Sequence, residues 1–237
     1  MALIVTEAIL LRVIKYSDNS FICEALTADY GLISFIASRG SKHNQSIPNH
    51  LRIMNLVQIT YYPSKSTQGL HRLKEVFFTH VYNKVNIDVK KSLAGTFISE
   101  VILNVVKVEN LDNDKMYALL KGKLIYLDLQ EVDELEFIIK TLYDILEVEG
   151  ILPSDNHSAR FDYFNLAEGC FQNVIFDSNI TLNKEKSAVF LNFLEGQLPT
   201  DVGYKFGLID DILKYLSMHI PNFKPIKSYE IVRELHR

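Results

Sequence analysis

The sequence has little of what catalysis, metal binding or membrane insertion would require. Its 237 residues include only two cysteines, Cys23 and Cys170. Two cannot form a disulfide framework, so reduced thiols in a cytoplasmic protein are expected. No apolar run approaches the ~18 residues that a membrane span needs. The opening MALIVTEAILLRVIKY is apolar but is broken by Glu7, Arg12 and Lys15. It lacks a basic leader and a small-residue cleavage site, so it does not read as a signal peptide. Neither phosphate-gripping glycine loop, G-x-G-x-x-G or G-x-x-x-x-G-K-[ST], occurs. The patterns G-x-S-x-G and H-E-x-x-H are missing too. There is no C-x-x-C pair, and His157 with Cys170 cannot complete a tetrahedral zinc shell. Cys170, in EGCFQN, reads as a structural thiol rather than a nucleophile. Asp133, Glu134 and Glu136 read as a solvated helix face. The expectation is a protein that is not an enzyme, with no cofactor, no metal and no membrane contact.

What is present is ordinary globular material, 48% hydrophobic and 23% charged, enough for one large domain or two small ones. The net charge of −4 argues against a generic nucleic-acid binder, but its distribution is uneven. Residues 1–82 hold eight Lys and Arg against five Asp and Glu, a surplus of three cations, which leaves −7 for the remainder. Four of the seven histidines also lie in the first part. A mildly basic head is joined to an acidic body.

The first eighty or so residues pattern as strands. LIVTEAILLRVIKY is β-branched and continuous; SFICEALT and GLISFIA flank ADYG, a turn with Gly31 where positive φ is easy. LRIMNLVQITYY alternates, with breaks at Met54, Asn55 and Leu56, and LHRLKEVFF makes a fifth strand on which Arg72 and Lys74 share a face. Five short strands without a long helix predict a small closed barrel, which leaves no open sheet edge. A fragment ending near Asn86 is expected to close by itself, unless VFFTHVY needs the helices to cover Phe77 and Phe78. From about residue 86 the period becomes helical, as in Leu93, Phe97, Val101 and Val105. Further helices are predicted in NDKMYALLKGKLIYLDL, EVDELEFIIKTLYDILEVEG, KEKSAVFLNFLEG, GLIDDILKYLSMHI and SYEIVRELHR, while residues 151–180 lose periodicity. The expected fold class is α+β multidomain, a five-stranded barrel in 1–82 followed by an all-helical domain in 83–237.

The basic residues of the head are the candidate site. SRGSKHNQS joins two predicted strands without one apolar side chain and carries Arg39, Lys42 and His43. Lys65 precedes the fifth strand, which carries Arg72 and Lys74, and Tyr16 and Tyr62 stand near the strand ends. On small five-stranded barrels, the loops after strand 1 and before strand 5 and one outer face form a groove for single strands. Cations there would track phosphates and tyrosines would stack bases. The plainer alternative is a solvated rim with strand-end tyrosines.

These segments together resemble a known family. TEAILLRVIKYSDNSFICEALTADYGLISFIASRG, with Tyr16-Ser17-Asp18-Asn19-Ser20, Thr27 with Gly31, and Arg39-Gly40, is similar to the start of the RecO family of bacterial DNA repair and recombination mediators. LHRLKEV, YFNLAEGCF and IKSYEIVREL resemble later landmarks of that family, and the resemblance is greatest to members from the Bacteroidetes group. It implies an OB-fold head and a helical body without catalysis. It also implies binding of single- and double-stranded DNA, annealing of complementary strands, and contact with the C-terminal tail of the single-strand-binding protein SSB. Work with RecR to load RecA, and a cytoplasmic, nucleoid-associated location, follow from the same resemblance. Lys121, Lys123 and Lys140 are the candidates to meet the tail. Many members carry a four-cysteine zinc site near the landmark at Cys170; here one cysteine remains, so 151–180 is expected to be a degenerate zinc-site region without metal. The competing expectations are a protein-only scaffold whose basic rim meets an acidic partner, and a thiol enzyme using Cys170.

Overall fold

The computed structural model describes residues 2–38, 50–65, 69–106, 113–154 and 156–236. Five strands open the chain: β1 (Ile4–Ser17), β2 (Ser20–Thr27), β3 (Gly31–Ser38), β4 (Leu56–Tyr62) and β5 (His71–Phe78). They close into a barrel in the order β1-β2-β3-β5-β4, that of an OB-fold. β1 is long enough to serve both sides, pairing through Ile4–Ile9 with β4 and through Ala8–Ser17 with β2. β2 and β3 form the expected hairpin, with Gly31 at φ 64°, where a side chain is disfavoured. The barrel is sealed by a short parallel pairing of β3 and β5, Phe35 opposite His71 and Ile36 opposite Arg72.

The fourth strand starts later than the alternation suggested. Met54 has φ 74° and Leu56 is the first strand residue, so the three breaks in the pattern mark a turn rather than an imperfect strand. Alternate inward residues fill the barrel, among them Ala8, Leu10, Cys23, Ala25, Phe35, Val57, Ile59 and Leu73. A second set points outward yet is equally buried: Ile9, Leu11, Leu26 and Leu56 are all at most 1% exposed. Ile9 pairs with both Leu26 and Leu56, so these residues form a row across the outside of the sheet.

Two helices cover that row. α1 (Val89–Val105) packs on β1, and α2 (Asn113–Leu129) packs on β2, β3 and α1. Asp88 caps α1 by accepting the N–H groups of Lys90 and Lys91. Gly95 lets Met54 approach α1, since a Cβ there would stand 2.3 Å from the Met54 sulfur. On α2, the Tyr117 hydroxyl and the Lys121 ammonium both donate to Glu7 of β1. The compact units therefore part at Glu131/Val132, whereas the change from strand to helix falls between Phe78 and Val89.

The crossing from barrel to helix is held by one carboxylate. Asp128, fully buried on α2, accepts the backbone N–H groups of Asn83, Lys84 and Val85 at 2.8–3.1 Å, with His80 Nε2 at 3.2 Å. Burial alone would push this carboxyl up; the three N–H donors and His80 outweigh it and hold it below the ordinary aspartate value. Nearby, the buried Lys91 ammonium donates to the carbonyl of Gln130 at 2.6 Å, closing the C-terminal end of α2.

The second unit holds α3 (Glu134–Val148), a hairpin of β6 (Tyr163–Asn165) and β7 (Cys170–Gln172), α4 (Lys184–Leu194), α5 (Val202–His219) and α6 (Ser228–Leu235). Phe164 of the hairpin stacks on Phe190 of α4 at 4.3 Å and meets Phe171 edge-on. Lys205 of α5, nearly buried, reaches the α3 cap residue Asp133 at 2.9 Å and Glu136 at 3.2 Å. The α5 helix begins five residues before the apolar stripe that announced it, because Gly203 and Gly207 obscure its first turns.

Two outcomes follow. Uncovering Ile9, Leu11, Leu26 and Leu56 would forfeit about 1.5–3 kcal/mol each, comparable in sum to the stability of a whole domain. The expectation that a fragment ending near Asn86 closes by itself is set against this loss: a fragment of residues 1–86 should lack cooperative melting by circular dichroism, and a fragment of residues 1–131 should show it. Asp128→Ala should cost about 3 kcal/mol or more in chemical denaturation, because three buried N–H groups lose their acceptor. The folded carboxyl titrates below the unfolded value of ~3.9, so its stabilisation is complete above that pH and is lost as pH falls through the folded value. The variant should lack that part of the acid-side loss.

Candidate nucleic-acid interface

Arg39, Lys42 and His43 lie outside the described residues. The other five candidates do not form one cluster. Tyr62 and Arg72 are register partners on β4 and β5, and Arg72 also stands opposite Ile36 of β3, at the pairing that closes the barrel. Lys65 follows Tyr62 in the β4–β5 connection and is exposed. That connection is fixed from below: the Ser64 N–H donates to His71 Nδ1 at 3.0 Å, and the His71 ring leans on Tyr61 with centroids 4.9 Å apart. Burial holds His71 below its ordinary value, consistent with the neutral ring that an accepting Nδ1 requires. Neither Lys65 nor Arg72 has an ion pair with a carboxylate among the described residues.

Lys74 and Tyr16 stand apart from this group. Lys74 was expected to share a face with Arg72, but β5 is bulged there: Leu73 pairs with Tyr61 and Glu75 with Thr60, leaving Lys74 as the extra residue. Its side chain is half-buried and its ammonium is 3.3 Å from Glu75. Tyr16 is 67% exposed at the far end of β1, whereas Tyr62 lies beside the start of that strand, since Tyr61 pairs with Ile4. Tyr16 does adjoin the β1–β2 turn, whose Ser20 pairs with Ser38, the last described residue before 39–49. Two other barrel cations are already engaged, Arg12 with Glu24 and Lys15 with Asp18.

Register also joins residues that the sequence reading passed over. Ile14 pairs with Ile22, Ile22 with Ile36, Ile36 with Arg72, and Arg72 with Tyr62. Side chains directly opposite share a face, so these five form one outward row across every strand. Ile14 is 41% exposed, and Ile22 and Ile36 are half-buried. An apolar row that ends in a guanidinium and a phenol can carry base faces along its length and a phosphate at its end. Strand alternation could have marked each isoleucine as outward, but only the pairing registers put them in line.

The hairpin in the second unit lacks the donor set of a zinc site. Cys170 pairs across from Asn165, whose amide donates to Gln172 Oε1 at 3.0 Å; Gln172 in turn donates to Thr181 at 3.1 Å. Asn156 bonds both the N–H and the carbonyl of Phe171, at 2.8 and 2.9 Å. Side-chain amides tie the segment together where a metal shell would need thiolates or imidazoles. Among the described residues, no three His, Cys, Asp or Glu side chains are placed to hold a metal, and no helix is long and apolar enough to cross a membrane. Of the lysines considered for an acidic tail, Lys121 is bound to Glu7, while Lys140, 3.5 Å from Glu136, borders a cavity of about 320 Å³ lined by Tyr143, Phe193, Leu194 and Leu198 and by Asp144 and Glu195.

Residues 1–82, which contain all five barrel strands, match the family described as Recombination protein O N terminal. Similarity continues through the rest of the chain. It is 28% identical to the DNA repair protein RecO of Flavobacterium psychrophilum, 25% to that of Flavobacterium johnsoniae and 23% to that of Bacteroides fragilis. Each alignment covers 97% of this chain and 98% of the relative. The barrel is thus matched to the N-terminal domain of the RecO family, and the likeness to RecO proteins runs through both units.

Proposed function

We propose that this chain is a non-enzymatic DNA repair and recombination mediator. In this reading it binds single- and double-stranded DNA with its barrel, anneals complementary strands, and with RecR helps load RecA onto DNA coated with SSB, in the cytoplasm at the nucleoid. The observation that carries the reading is end-to-end similarity to proteins named for DNA repair, on a closed barrel whose outer face sets Arg72, without an ion pair to a described carboxylate, beside Tyr62. Charge placement supports it, since the acidic surplus lies wholly in residues 132–237 and leaves the barrel unit net positive. Arg39 and Lys42 would add phosphate contacts, with His43 joining them at lower pH. The second reading is a protein-only scaffold whose rim meets an acidic partner; the ion pairs of Arg12, Lys15 and Lys74 thin the cations left for a phosphate track.

A salt titration with a labelled single-stranded oligonucleotide separates the two readings. DNA binding predicts affinity that falls steeply with salt. The double change Lys65→Ala, Arg72→Ala should weaken it similarly for different sequences, because phosphate contacts carry little sequence information. It should also flatten the salt slope by about 0.7 per lost contact, and Arg39→Ala with Lys42→Ala should do the same. A chain that ignores oligonucleotides at every salt concentration would leave the scaffold reading. For SSB, an acidic tail peptide should give calorimetric heat that Lys140→Ala removes, with the apolar residues of the tail entering the Tyr143–Phe193 cavity.

A further inference from the structure

The far end of β5 carries a second cluster of aromatic and basic groups that no part of the row through Arg72 uses. Phe78 is 39% exposed although it ends a barrel strand, and the neighbouring Val81 is 63% exposed. The His50 ring lies on Phe78 with centroids 4.2 Å apart and planes 29° from parallel. Beside them is a half-open recess of about 60 Å³, bordered by Arg52, Asn55, His80 and Asn86 as well as Phe78. Its border of a guanidinium, side-chain amides and an imidazole suits a phosphate group. The Arg52 side chain is exposed at its mouth and has no ion pair with a described carboxylate.

The recess is rigidly built. Asn55 donates through its amide to the carbonyl of His50 at 2.8 Å, and its backbone N–H bonds the carbonyl of Arg52 at 3.2 Å. Between them Met54 is held at φ 74°, a conformation that non-glycine residues rarely adopt and that gathers at functional sites. It is pinned from two sides: the Met54 N–H donates to Leu10, and its carbonyl accepts the buried Tyr82 hydroxyl at 2.7 Å. His80 packs edge-on against Tyr82. Asp128, behind His80, has its charge met by three backbone N–H groups. The strained turn thus holds an exposed guanidinium, without an ion pair to a described carboxylate, next to a partly exposed aromatic ring.

We propose that this recess is a nucleotide position for an unpaired strand: one base continues the His50–Phe78 stack on the open face of Phe78, and the adjoining phosphate sits against Arg52. A duplex offers phosphates but no free base face, so only a single strand satisfies both groups at once. The proposal rests on the DNA-binding reading and adds to it a strand preference and a contact at the opposite end of β5 from Arg72.

The test measures anisotropy of a labelled oligothymidine and of a labelled duplex with the full chain and with Phe78→Leu, Phe78→Tyr and Arg52→Gln. Phe78→Leu should weaken single-strand binding about five-fold or more, the low end for loss of one stacked base, and leave duplex binding unchanged. Phe78→Tyr, which keeps the ring, should bind like the parent. Arg52→Gln changes an exposed side chain, leaves the melting temperature alone, and should flatten the single-strand salt slope by about 0.7. Equal losses on both DNA forms with Phe78→Leu would overturn the stacking role. If Arg52→Gln and Phe78→Leu bind like the parent while Lys65→Ala with Arg72→Ala weakens binding, the recess falls and the DNA reading stands. If the parent binds no oligonucleotide, both fall.

Discussion

Two residue pairs, Phe35 with His71 and Ile36 with Arg72, turn five strands into a closed barrel. Without them β3 and β5 would each present an unpaired edge, and the inward side chains would have no enclosed space to fill. The same closure determines which side chains meet on the outside. Ile36 is brought to Arg72 only because β5 enters the sheet between β3 and β4, and that juxtaposition extends the isoleucine row to a cation and to Tyr62. In this barrel the sealing contact and the candidate interface share residues.

Outside the barrel, the helical cover does more than add a second layer. The row Leu56–Ile9–Leu26 makes the sheet apolar on both faces along one side, and α1 and α2 answer that demand. Asp128 then fastens the segment between β5 and α1 by gathering three N–H groups that otherwise have no strand or helix partner. One carboxylate can satisfy several donors with a single charge, which suits a crossing too short for secondary structure of its own. The recess under Phe78 lies along this same crossing, through His80 and Tyr82, so its rigidity derives from the clasp.

Charge is divided to match. The acid surplus lies in residues 132–237; internal pairs such as Lys205 with Asp133 and Glu136, and Lys186 with Asp211, engage cations of that unit and leave the surplus in place. In the barrel unit Arg12, Lys15, Lys74 and Lys121 are likewise neutralised, while Lys65, Arg72 and Arg52 are not paired with described carboxylates. The net charge of a segment is therefore a poor measure of how much of it can attract a polyanion; the cations without a described carboxylate partner are the ones placed to do so.

Local pattern was enough to determine five strands, the Asp29–Gly31 hairpin turn and most helices, because apolar period and turn chemistry are written within a few neighbouring residues. It also carried the family landmarks and the candidacy of Lys65, Arg72 and Tyr62. Pattern could not show that Lys74 falls on a bulge and pairs with Glu75, that Ile9 and Leu26 are outward but covered, or that Tyr16 and Tyr62 lie far apart. Nor could it show that the break at Met54 is a strained turn holding Arg52 beside Phe78. Each of these depends on which strand lies next to which and in what register. That is settled by closing the sheet and burying its outer row, long-range events that no local stretch of sequence encodes alone.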